Sequence, residues 1–254
     1  MLQTRLLKVA KLSQSCLPLA GIGILCLTIL SGCVSSPDTT RQQTAPDNFP
    51  HETYTEAPLG SSVYRVDSRA SEVIVTVRRG GIMASLGHDH IIASEDLQGF
   101  ILLNTDSQTN IPRCRADFYA PLANLVVDNS ARRAVANLLT SPSVKDIAGT
   151  TANMHRSIES VDFPFVQLHS SDCLAARSNA QSQVILSLHG VSQTRQLTIN
   201  IAQESDQRIT FSGTFSILQS DFGIEPFSIM NGLIKVEDKL ELSYKIVALK
   251  KVRP

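Results

Sequence analysis

The densest group of side chains able to do chemistry is Gly87-His88-Asp89-His90. In an extended backbone residues two apart share a face, so His88 and His90 could offer two imidazoles to one metal ion, with a third ligand drawn from His155, His169 or His189. The same four residues also read as a short loop whose histidines hydrogen-bond backbone groups across strand ends, and the spacing alone leaves both readings open. His189 stands at the end of an alternating segment and before Gly190, where an imidazole can tie down a tight bend. Asp221, in Ser220-Asp221-Phe222-Gly223-Ile224, reads as a turn-former. His189 and Asp221 would alternatively face a ligand head group at the rim of a barrel. Cys114 and Cys173 are two cysteines distant in sequence that would either form one disulfide or remain two buried thiols. The chain lacks the G-x-S-x-G nucleophile elbow, the phosphate-cradling G-x-x-x-x-G-K loop, C-x-x-C, H-E-x-x-H and G-x-G-x-x-G. A binding protein is therefore expected in preference to an enzyme.

The elements that must position these residues are strands. In 184–201, Val184, Leu186 and Leu188 alternate with smaller or polar residues, and Leu197, Ile199 and Ile201 do so again after a polar connection expected around 189–194. Ile209, Phe211, Phe215 and Ile217 share one parity. Ile234, Val236, Leu240, Leu242, Tyr244 and Ile246 share another, with Lys235, Glu237, Lys239, Glu241 and Lys245 on the opposite face. Further strands are expected at 63–66, at Val73, Val75 and Val77, at 97–103 and at 114–120. Helical spacing occurs at 131–139 and 144–158, broken at Ser141-Pro142. One dry and one wet face repeated along the chain predicts an all-β fold, a single antiparallel β-barrel of about eight strands with a helical insertion.

Several of these segments resemble the YceI-like family of polyisoprenoid-binding proteins. The resemblance is carried by L-S-L-H-G-V at 186–191, G-T-F-S-I at 213–217, S-D-F-G-I at 220–224, the opening strands at 63–77 and F-P-F-V-Q-L-H-S at 163–170. It spans residues 62–254 in the family's order and implies a lipocalin-like barrel holding an apolar chain, such as an isoprenoid or quinone, with no required cofactor. The expected ligand-binding wall is Phe100, Phe118, Phe165, Leu186, Leu188, Phe211, Phe215, Val236, Leu240 and Leu242, in a chain with no tryptophan. A barrel packed solid by its own side chains, serving as a structural envelope protein, is the alternative. A metal- or haem-associated redox accessory using His88 and His90 is another.

The first 32 residues read as a leader: Arg5, Lys8 and Lys11, then an apolar run at 17–30, then Leu30-Ser31-Gly32-Cys33. That last step looks like a bacterial lipoprotein box and implies that Cys33 is lipidated, facing the periplasm. Val34 after the cysteine points to the outer membrane. Residues 33–61 are polar and proline-bearing, as expected of a flexible tether, and 62–254 form the barrel domain. Removing the leader leaves 20 basic against 23 acidic residues, a net −3 without clustered basic runs. That balance argues against a nucleic-acid partner.

Overall fold

The computed structural model describes residues 44–106, 108–173 and 180–251. The leader, Cys33 and the first part of the tether lie outside the described residues. A short helix α1 (His51–Thr55) precedes the strands. These are β1 (Ser62–Val66), β2 (Glu72–Gly80), β3 (His90–Ser94), β4 (Gln98–Thr105), β5 (Pro112–Pro121) and β6 (Leu125–Val127). Helices α2 (Ser130–Val135) and α3 (Val144–Ser157) follow. The chain then returns through β7 (Phe165–Ser170), β8 (Ala180–Leu188), β9 (Val191–Ser205), β10 (Arg208–Leu218), the two-residue β11 (Ser228–Ile229) and β12 (Ile234–Lys250).

The sheet closes on itself. The first six strands are three bent pairs, because β1 pairs β4 while β2 pairs β3, and β4 pairs β5 while β3 pairs β6. Each pair therefore acts as one staves-and-bend unit, and the antiparallel order continues through β7, β8, β9, β10 and β12. The long β12 completes the ring by pairing β2 along most of its length and β1 at its end, Tyr64 opposite Lys250. The result is the eight-strand antiparallel barrel that the alternation predicts. Closure removes the exposed sheet edges that an open sheet would leave.

Local sequence explains the connections. The β8–β9 hairpin needs only His189 and Gly190, with Leu188 opposite Val191, so the connection expected over 189–194 is shorter and Ser192, Gln193 and Thr194 are strand. Both turn residues have positive φ, +53° and +72°, the backbone of a type I′ turn whose twist matches the flanking strands. His189 tolerates this because its Nδ1–H donates to the Phe222 carbonyl at 3.0 Å. Its Nε2 lies 3.3 Å from a Glu159 carboxylate oxygen, outside hydrogen-bonding geometry. Asn129 caps α2 by accepting from the Ala131 and Arg132 N–H groups, and Ser143 with Asp146 forms a capping box on α3. The helix expected at 131–139 stops at Val135 because Asn137 turns left-handed, φ +54°.

The stretch expected to be flexible tether up to residue 61 is partly docked. Phe49 and Tyr54 are 6% and 3% exposed, and they lie on the outer face of β4, β5 and β7. Tyr54 stacks on Phe100 with ring centroids 5.1 Å apart, and Phe49 packs against Tyr119 at 4.8 Å. The Tyr54 hydroxyl donates to Asp117, which also accepts from Arg115 Nε at 2.8 Å and His169 Nδ1 at 2.7 Å. Burial, then the bond to Asp117, push the Tyr54 phenol well above its ordinary range.

Candidate ligand cavity

The inward faces of the strands enclose a cavity of about 300 Å³. That is at the lower end of the range of small-molecule sites, and far larger than the gaps of a packed interior. Of the expected wall, Phe118, Leu186, Leu188, Phe211, Phe215, Val236, Leu240 and Leu242 line it. Phe100 and Phe165 do not. Phe100 sits opposite Asp117, and Phe165 packs edge-on against Tyr119, both on the outer face under the N-terminal arm. The wall also includes Val73, Val75 and Val77 of β2, Val184 of β8 and Tyr244 and Ile246 of β12. Their parity was visible in the sequence, although the expected wall omitted them. Met154 of α3 and Ile158 just after it line the cavity, an orientation that periodicity alone could not give.

The cavity has two ends. Cys114 and Cys173 form a disulfide at one, Cα atoms 5.0 Å apart, and Cys173 contributes to the wall. Crosslinking across 59 residues stabilises the fold by about 4 kcal/mol in the chain-entropy model. At the other end lie α3, Phe227, Gln219 and His90. Gln219 is held there by donating its amide to the Glu237 carbonyl at 2.9 Å.

Polar chemistry in the wall is sparse. Among the described residues no lysine, arginine, aspartate or glutamate lines the cavity. Tyr244 lines it with a hydroxyl that is buried without a partner, and burial pushes its pKa up to about 12. His90 enters the wall with its Nδ1–H donating to Asp128 Oδ2 at 2.6 Å. Asp128 has a fully buried side chain, accepts from the Ile91 N–H at 3.1 Å, and pairs with Arg133. Burial raises the Asp128 carboxyl, but the bonds from His90, Ile91 and Arg133 outweigh it and hold the group below the ordinary aspartate value. Arg133, 4% exposed, also donates to the Asp89 carbonyl at 2.8 Å and to the Thr140 carbonyl and hydroxyl.

The Gly87-His88-Asp89-His90 motif thus divides its work. Asp89 accepts from the Arg79 N–H at 3.0 Å and Arg78 Nη1 at 3.1 Å, fastening the loop to β2. The His88 and His90 rings lie 6.3 Å apart and nearly perpendicular, and the His88 Nδ1 is buried without a partner. The third ligand expected from elsewhere does not arrive. His155, on α3, bonds Ser160 beyond its end, His169 bonds Asp117 outside the barrel, and His189 holds its turn. Among the described residues no group of three metal-ligating side chains forms. Asp221 serves the turn role, its carboxylate paired with Arg195 and Gly223 left-handed behind it, φ +71°.

A YceI-like domain model matches residues 64–248, which covers nearly all of the barrel. The chain belongs to the YceI-like family. No curated protein sequence matches it. Among solved structures, a polyisoprenoid binding domain from Saccharophagus degradans implicated in plant cell wall breakdown is similar at 14% identity and a TM-score of 0.51. The match covers 74% of this chain and 98% of that one. Burkholderia cenocepacia BcnA is similar at 15% identity, TM-score 0.49, over 72% of this chain and 98% of that one. A Campylobacter jejuni YCEI protein matches at 13% identity, TM-score 0.42, over 64% and 85%. At such identities the likeness to the Saccharophagus domain speaks for the fold alone, a lipocalin-like barrel.

Proposed function

We propose that this YceI-like protein is a lipid-anchored carrier or buffer, without enzymatic activity, that holds an elongated apolar molecule such as an isoprenoid quinone or polyprenyl chain inside its barrel. The observation that carries the reading is the hollow, apolar interior. Each methylene moved from water into such a space contributes about 0.8 kcal/mol, so a chain of isoprenoid units is retained without any covalent step. The polyisoprenoid binding of the Saccharophagus domain supports the same ligand class. Acylation at Cys33 would hold the barrel beside the bilayer that dissolves such ligands, on the periplasmic side of the outer membrane.

The test is native mass spectrometry of the exported chain carrying Cys33→Ser, which removes the acyl mass from the spectrum. An added mass of isoprenoid size that disappears on solvent extraction is the expected result. Bare protein that also takes up no C20 hydrocarbon or alcohol after extraction would refute the carrier reading.

A further inference from the structure

An apolar chain stored in a barrel ends in some polar group, and the wall restricts which one. A phosphate, pyrophosphate or carboxylate drawn inside would meet no charged lining residue among those described. Arg133, behind His90, is not available to neutralise it, since its guanidinium is committed to Asp128, the Asp89 carbonyl and Thr140. A buried anion without a partner is strongly disfavoured.

At the α3-covered end the wall presents Gln219, Thr150, Asn153 and Ser157 as uncharged polar groups, and His90 as the one held by a buried ion pair behind it. His90 gives its Nδ1–H to Asp128 at 2.6 Å, and Asp128 is itself fixed by the Ile91 N–H and Arg133. The bond orients the ring with its Nδ1 proton on Asp128, which leaves Nε2 as the ring atom that can accept a hydrogen bond from a ligand. Asp128 is the only hydrogen-bond partner of the His90 ring among the described residues.

We infer that the cavity selects an uncharged apolar molecule whose terminal hydroxyl donates to His90 Nε2, a prenol-type alcohol or a hydroquinone, and excludes the corresponding pyrophosphate esters and fatty-acid anions. The chain then runs inward from His90 past Leu186 and Val184 toward Tyr244 and Ile246. This rests on the burial reading proposed above and adds the head-group class to it.

Isothermal titration of the extracted Cys33→Ser chain tests it with four C20 probes delivered from cyclodextrin: geranylgeraniol, its pyrophosphate ester, geranylgeranoic acid and the saturated hydrocarbon. The alcohol should bind at least tenfold more tightly than the pyrophosphate and the acid. His90→Phe should weaken the alcohol about tenfold, the scale of one buried hydrogen bond, and leave the hydrocarbon unchanged. His90→Gln, which restores a polar acceptor in the wall, should recover part of the loss. Hydrocarbon affinity in each variant also reports whether the barrel is intact. Pyrophosphate binding as tight as the alcohol, or equal losses for alcohol and hydrocarbon in both His90 variants, would overturn the inference while leaving burial standing. Binding of none of the four by the unsubstituted wall would overturn the burial reading and this one with it.

Discussion

Asp128→Asn isolates the buried charge that supports the cavity wall. Asp128 has a left-handed backbone, φ +52°, which asparagine also tolerates, so the substitution changes charge with little backbone cost. The side chain is 0% exposed and that of its partner Arg133 4%, so neutralising the carboxylate leaves a guanidinium buried without a counter-charge. Breaking a buried pair in this way costs about 3–5 kcal/mol. Arg133 keeps the Asp89 and Thr140 acceptors, which places the expectation near the lower figure, about 3 kcal/mol. In a domain of this size that corresponds to a fall in Tm of about 6–12 °C by circular dichroism. The pH dependence has a defined sign. A carboxyl held below its ordinary value of 3.8 in the folded state stabilises above that value and loses its contribution as pH falls through the lower folded value. The gap between wild type and Asp128→Asn should therefore begin to narrow as pH falls below about 3.8 and close as it passes the lower folded value. Adding Arg133→Met removes the stranded charge and should recover most of the stability. A single-variant loss under about 1 kcal/mol, or a double variant as unstable as the two singles summed, would refute the buried-pair reasoning.

Four further outcomes are expected. Replacing both Cys114 and Cys173 with serine should cost about 4 kcal/mol in urea unfolding, matched by wild type under reductant; unchanged stability would mean the crosslink is not formed. Tyr54→Phe removes a hydroxyl donated to a buried carboxylate and should cost about 1.5 kcal/mol, with faster proteolysis within 44–60; equal cleavage rates would count against the docked arm. Gly190→Ala should cost about 2 kcal/mol, since the turn requires φ +72° and a Cβ would meet the Phe163 ring at 2.7 Å; a neutral result would show that the hairpin can change turn type. Cys33→Ala should shift the protein from the membrane to the soluble fraction of cells, and membrane retention by that variant would rule out acylation as the anchor.

Which strands exist was legible because apolar residues alternate so regularly in β10 and β12. The bends were less so: β1 with β2, and β3 with β4, act as single barrel strands only because each half pairs with the matching half of its neighbour. The misplacement of Phe100 and Phe165 has a simple origin. Each lies on the parity opposite its inward neighbour, Ile101 or Val166, whereas size and apolarity alone favour an interior place for an aromatic side chain. Their outer position is stable because Phe49 and Tyr54 cover them, and two anchors in a polar, proline-bearing stretch leave no periodic trace. Similarly, the His88 and His90 spacing was the same for a metal pair as for a hydrogen-bonded wall residue. What orients His90 is Asp128, 38 residues away, at the left-handed step before α2.

Hollowness was the hardest property to read, because it depends on a balance of volumes around the whole ring. An eight-strand barrel is just wide enough for its own side chains to fill it. Here the wall carries no tryptophan and includes Ala116, Ala120, Ser94 and Ser170, so the bulk of Phe118, Phe211 and Phe215 is offset by small residues on other staves. The disulfide and the buried Asp128–Arg133 pair stabilise the shell from its margins, at opposite ends of the cavity. A shell braced in this way does not depend on filling its centre, and the space left over is the property that a carrier of apolar chains requires.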